Sequence, residues 1–185
     1  MAFVRGRSLK HGGATPFEEA ERHVMLQIGR LLSADLLINQ FDRFPLVWDS
    51  EGNPGNTMLG NVEGVWCVTG VDQTVTPIHH GAGLDNYLRR VARVVKGDDP
   101  QAYERVEQHI ATWAQFRVTK QGRLAMEEGL QSGVVALRVA LQEIGGDPAH
   151  LVAGHLGDAG DDLRQFVTAV VGAMVQDTSQ SRQLS

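Results

Sequence analysis

Apolar residues recur at Phe17, Ala20, Val24, Ile28, Leu31 and Leu32, a spacing that gathers them on one side of a helix. It predicts an amphipathic helix that begins at Thr15-Pro16-Phe17-Glu18 and ends near Leu36–Asn39. Thr15 stands where an N-cap would, Pro16 suits the first helical position, and Glu18 would close a capping box. The same period returns later in shorter blocks. Leu84, Leu88, Val91 and Val95 mark one helix. Asp99-Pro100 opens another, with Tyr103, Val106, Ile110 and Trp113 on one face. Leu130, Val134, Leu137, Leu141 and Ile144 mark a longer one, which Gly145-Gly146 stops. Asp147-Pro148 restarts a helical turn, and Leu163, Phe166, Val167, Val170, Val171 and Met174 form the last stripe. Tyr103, Trp113 and Phe166 are expected in the core.

The period changes between the first helix and the rest. Thr57–Gly60 and Val65–Val71 alternate as two short strands joined by Asn61–Gly64. Asn39–Asn56 holds too many Gly, Pro and Asn to be regular, and Thr74–Gly83 is a loop. Met1–Val4 is a short apolar run that reads as the end of a strand. The expected fold is therefore α+β and mostly helical, with a small β-hairpin. No large sheet is available, which excludes doubly wound folds and sandwiches. One domain is expected over 1–176, with a polar, disordered tail at 177–185.

Composition narrows the function. The 185 residues carry a net charge of −5, which argues against binding nucleic acid through a basic face. A single cysteine, Cys67, excludes an intrachain disulfide and a zinc–cysteine cluster, and a cytoplasmic location fits best. No apolar run approaches a membrane span, and the N-terminal stretch lacks the apolar segment of a signal peptide.

The candidate chemistry lies around the irregular segment. A hairpin brings its two ends together, so Asn56 and Asp72 should be neighbours, and the intervening loop allows Asp42 to join them. Two carboxylates and an amide oxygen are hard ligands that suit Mg²⁺ or Mn²⁺. Each part also has a plainer reading. Asp42-Arg43 could be a local ion pair, Gly52–Asn56 a simple turn, and Asp72 a cap at a strand end. His79 and His80, adjacent on an extended chain, point apart and make a poor metal site. His150 and His155 flank a small-residue turn as surface groups, and the acidic stretch Asp158–Asp162 reads as a solvated loop and helix cap.

Taken in order, Leu37–Pro45, Gly52–Asn56 and Val71–Gln73 resemble the catalytic loop, hairpin and metal-binding Asp of the protein-kinase-like superfamily. They are most similar to its actin-fragmin kinase branch. Residues 1–9 also look like the hinge that joins two kinase lobes, and 1–14 is expected to be hinge-like. The resemblance implies the C-terminal lobe of a kinase-like fold. It implies transfer of the ATP γ-phosphate, with Mg²⁺ (Mn²⁺ possible), to a hydroxyl on a protein or small molecule. It makes Asp42 the catalytic base, Asn56 and Asp72 the metal ligands, and Arg43 a support for the catalytic loop. Asn53 is an alternative to Asn56. The sequence departs from the pattern in three ways. Val47–Gly55 is an insertion expected to loop out. Gln73-Thr74 follows Asp72 where the protein-kinase signature has Phe-Gly. The Gly-rich loop and Lys of the smaller lobe are not found ahead of the hinge-like segment. A catalytically inactive kinase remnant that acts as a binding module is the alternative.

Overall fold

A computed structural model describes residues 6–156 and 159–176. The apolar run at Met1–Val4, the first five residues of the hinge-like segment, Asp158 and the 177–185 tail lie outside the described residues. The fold is α+β and mostly helical. A short strand β1 (Arg7–Ser8) leads into a one-turn helix α1 (Leu9–Gly12) and then the long helix α2 (Thr15–Ile38). The irregular segment follows, closed by a 3₁₀ turn at Pro54–Asn56. Next come the strands β2 (Thr57–Val62) and β3 (Val65–Gly70). Five helices complete the order: α3 (Ala82–Lys96), α4 (Pro100–Ala114), α5 (Lys120–Glu143), α6 (Pro148–Leu156) and α7 (Asp161–Val175).

The apolar stripe of α2 is the centre of the core. Phe17, Val24, Met25, Ile28 and Leu32 are all buried, each stabilising the fold by roughly 1.5–3 kcal/mol as an upper bound. Its N-terminus differs from the expected capping box. Ala14, in helical conformation, is the N-cap, and no side chain caps the helix. The Ala14 carbonyl accepts from Phe17 and Glu18 instead, so Thr15 lies inside the helix. Ala20 departs from helical geometry and kinks the first turns. The C-terminus falls at Asn39, whose left-handed backbone stops the helix as Asn tolerates.

Helix α5 packs directly on α2. It begins at Lys120, well before the apolar block at Leu130, because Thr119 caps it by accepting from Gly122 N. Glu21 of α2 accepts from both the Thr119 backbone and its hydroxyl at 2.7 Å. The two helices touch backbone to backbone. A Cβ added at Gly29 would lie 2.0 Å from the Met126 carbonyl oxygen, and one at Gly129 would lie 2.1 Å from that of Leu26. Helices α3, α4 and α7 close the core through Tyr87, Val91, Tyr103, Val106, Ile110, Phe166 and Val170. Asp99 caps α4 as expected, accepting from Ala102 N. Trp113 is only partly buried at the core's edge.

The hairpin is tighter than expected. Its strands run on to Val62 and from Val65, leaving Glu63-Gly64 as the turn, both with positive φ (52° and 87°). That is the conformation of a two-residue hairpin turn that matches strand twist. Arg7–Ser8 pairs antiparallel with Met58–Leu59, so the sheet has three strands in the order β1-β2-β3 rather than two. The outer edge of β3 is covered by one side chain of α2. Gln27 accepts from Val68 N at 2.9 Å and donates to Trp66 O at 2.8 Å.

Candidate active site

The irregular segment between α2 and β2 is folded onto the helices rather than looped out. Leu46 and Val47 are buried, and cationic side chains hold the carbonyls around them. Arg105 of α4 donates to Pro45 O and Leu46 O at 3.0 and 2.6 Å. Arg90 of α3 donates to Val47 O at 2.8 Å. Trp48 stacks on Tyr87 and donates its indole N–H to the Asn39 amide oxygen at 2.8 Å. Asn39 in turn donates to Thr76 O at 2.9 Å, tying the loop after β3 to the end of α2.

His109 of α4 fixes the far end of this segment. It is buried, and its Nδ1–H donates to Glu51 O at 2.9 Å. Gly52, at φ +67°, sits between the ring and the Arg43 carbonyl, where a Cβ would come within 2.9 Å of both. Burial holds the His109 pKa below its ordinary 6.5, with the bond to Glu51 a smaller, opposing influence. Its neutral form therefore stabilises the fold above pH 6.5, and that contribution is lost as pH falls through the lowered value. Thermal melts of the wild type should show this acid loss, and His109→Phe, which keeps a ring and cannot titrate, should lack it. Equal acid sensitivity in the two proteins would remove His109 as its source.

Two of the three candidate residues, Asp42 and Asn56, meet at the end of the hairpin. Asp42, exposed just after α2, accepts from the Asn56 side-chain amide at 3.1 Å through Oδ2, with a longer contact from Asn53 at 3.5 Å. Asn53 also accepts from Gly55 N at 2.9 Å, which shapes the turn. A carboxylate only accepts, so the Asn56 nitrogen must face Asp42, and its amide oxygen is turned the other way. Asp72 lies beyond β3 with a left-handed backbone (φ 52°) and an exposed side chain. Its carbonyl accepts from Gln40 at 2.8 Å. The preceding residue, Val71, donates its N–H to Asn56 O at 3.0 Å. Asp42 and Asn56 are thus in direct contact, and Asp72 is one residue from a backbone bond to Asn56.

Arg43 sits beneath all three. It is completely buried, so it acts on the loop and touches no solvent-borne molecule. Nε donates to Asn56 O and one terminal nitrogen to Val71 O, both at 3.0 Å. The other terminal nitrogen pairs with the Asp35 carboxylate of α2. Gly70 leaves room for it, since a Cβ there would lie 2.7 Å from the guanidinium carbon. Burial raises the Asp35 pKa from 3.8 to about 7, against the opposing pull of Arg43. Sequence reading missed Asp35, Arg90, Arg105 and His109. An acid at Asp35, inside the stripe of Leu32 and Leu36, was the available signal.

Among the described residues, no group of three His, Cys, Asp or Glu could hold a metal ion. The Asn56 amide oxygen and the exposed Asp72 carboxylate are hard donors, the type that Mg²⁺ takes alongside water and phosphate oxygens. No helix among the described residues is long and apolar enough to cross a membrane.

The class of this chain, a kinase catalytic domain, is set by its family. Residues 5–116 match the family model described as actin-fragmin kinase, catalytic. The chain belongs to the actin-fragmin kinase catalytic family. A search of curated proteins found no match. Helix α5 lies beyond the matched stretch, yet its contact with α2 is part of the same core.

Proposed function

We propose that this chain is the C-terminal lobe of a phosphotransferase that moves the γ-phosphate of ATP to a hydroxyl on a protein or small molecule. The observation that carries the reading is the Asp42–Asn56 hydrogen bond, set where Arg43 and Gln40 fix the Asn56 and Asp72 backbones. Asp42 is the catalytic base. Its Oδ2 is committed to Asn56, and Oδ1, bonded by none of the described residues, accepts the proton of the acceptor hydroxyl. Asn56 and Asp72 hold Mg²⁺ (or Mn²⁺) through oxygen. The metal supplies neutralisation of phosphate charge. Asn53 acts on the turn and steadies Asp42. Residues 6–176 work as one unit, and Gly6–Ala14 serves as the hinge-like entry to it. A half-exposed free thiol at Cys67 suits the reducing cytoplasm.

Thermal-shift titration with Mg-ATP tests this. Saturation at about 100 times the dissociation constant should stabilise the wild type by about 2.7 kcal/mol, and Asp72→Ala should abolish the shift. No shift in the wild type would overturn the reading and favour a binding module without catalysis. An equal shift in Asp72→Ala would remove Asp72 as a ligand.

A further inference from the structure

We propose that Asp35 is a positioning residue of this site, acting through Arg43 to fix the spacing between the Asn56 and Asp72 backbones. What those two residues hold rests on the phosphotransfer reading above. How they are held rests on geometry alone. Arg43 bonds one carbonyl just before β2 and another just past the end of β3. Its guanidinium is a rigid planar fork, so a third contact fixes the whole plane. Asp35 supplies that contact from α2, the central helix of the core. The pair joins three elements: the helix before Asp42, the residue whose amide holds Asp42, and the residue before Asp72. Gly70 keeps the guanidinium's place open.

A lysine at position 43 could not make the same brace, because an ammonium is a point charge without the fork's fixed angles. An arginine without Asp35 would be a buried cation with only carbonyls around it. The carboxylate does more than balance charge, since its position sets the direction in which the other donors point. The Asn56 carbonyl already accepts from Val71 N at 3.0 Å. The guanidinium donates to the same carbonyl and to Val71 O, so the two chain segments are joined at three points.

The double variant Asp35→Leu/Arg43→Met separates positioning from stability. Replacing a buried ion pair by apolar groups is often neutral for stability, so this protein should fold. Two measurements on the whole chain follow. The first is amide hydrogen exchange at Val71, read without nucleotide. It should speed up in the double variant relative to the wild type, while exchange in the middle of α2 stays unchanged. Unchanged exchange at Val71 would overturn the proposal. The second is the Mg²⁺ dependence of ATP binding. Residues that orient metal ligands typically change metal affinity by roughly 10–100-fold, and a loss of that size is expected at matched stability. Wild-type Mg²⁺ dependence in the double variant would overturn the proposal and leave the phosphotransfer reading intact. A wild type that binds no Mg-ATP would overturn that reading instead, and Val71 exchange would still decide the role of Asp35.

Discussion

Asp35→Leu is expected to destabilise the folded chain by about 3–5 kcal/mol, more than Arg43→Met does at neutral pH. The two halves of the pair are not equivalent. An arginine stays charged at any accessible pH, so losing Asp35 leaves a fully buried cation without the carboxyl oxygen that accepts from it, which Asp35 offers whether ionised or protonated. An aspartate can take up a proton. Asp35 already has its pKa raised to about 7 by burial, even with Arg43 pulling it down. Without Arg43 it rises further, and the residue is neutral in the folded state. The sign of the pH dependence follows. A raised carboxylate pKa favours the fold below the unfolded value of 3.8, and the benefit is lost as pH rises through about 7. Urea midpoints for the wild type and both variants, taken from about pH 4 to pH 8, check this. The wild type should weaken across that range from this group, Arg43→Met should weaken at higher pH, and Asp35→Leu should lack the dependence. Arg43→Met costing as much as Asp35→Leu at neutral pH would show that charge burial is not the dominant cause.

Gly29→Val should be the next most damaging change. Its Cβ would be forced to within 2.0 Å of the Met126 carbonyl and 2.8 Å of Leu130 N, both backbone atoms of the facing helix. Neither can move unless α5 shifts away from α2. Overpacking of this kind costs about 3 kcal/mol or more, here at the most extensive helix contact in the fold. Gly172→Ala provides the contrast. A Cβ at this position of α7 would meet nothing within 4 Å. A chemical denaturation series should therefore rank Gly29→Val far below Gly172→Ala. Similar midpoints would mean that the two helices are not in backbone contact.

Much of the fold was legible because its helices announce themselves by period and by cap. Asp99-Pro100 and Gly145-Gly146 are punctuation that acts locally, and both fall where the sequence put them. Three features were not legible for physical reasons. Arg7–Ser8 is too short to show alternation, and it becomes a strand only by pairing with Met58–Leu59. The Thr15 cap failed because α1 and the residues after it already deliver Ala14 in helical conformation. Gly29 and Gly129 look like weak points in a helical stripe, and only the facing helix shows why they lack side chains. At the site, hairpin logic expected Asn56 beside Asp72, and the bond observed comes from Val71, one residue earlier, while Asp42 did fold back onto Asn56. The clasp by Arg90, Arg105 and His109 was hidden because those residues belong to helices whose polar faces look ordinary in one dimension.

Gln27 has a consequence for how the sheet can grow. A primary amide has the same donor and acceptor as a peptide group, and here it takes the Trp66 carbonyl and the Val68 N–H of β3. To an incoming extended segment, that margin looks as if a neighbouring strand were already there. Recruitment of a foreign chain along it would first have to evict a side chain rooted in the central helix, so strand addition is opposed at Trp66 and Val68 of β3.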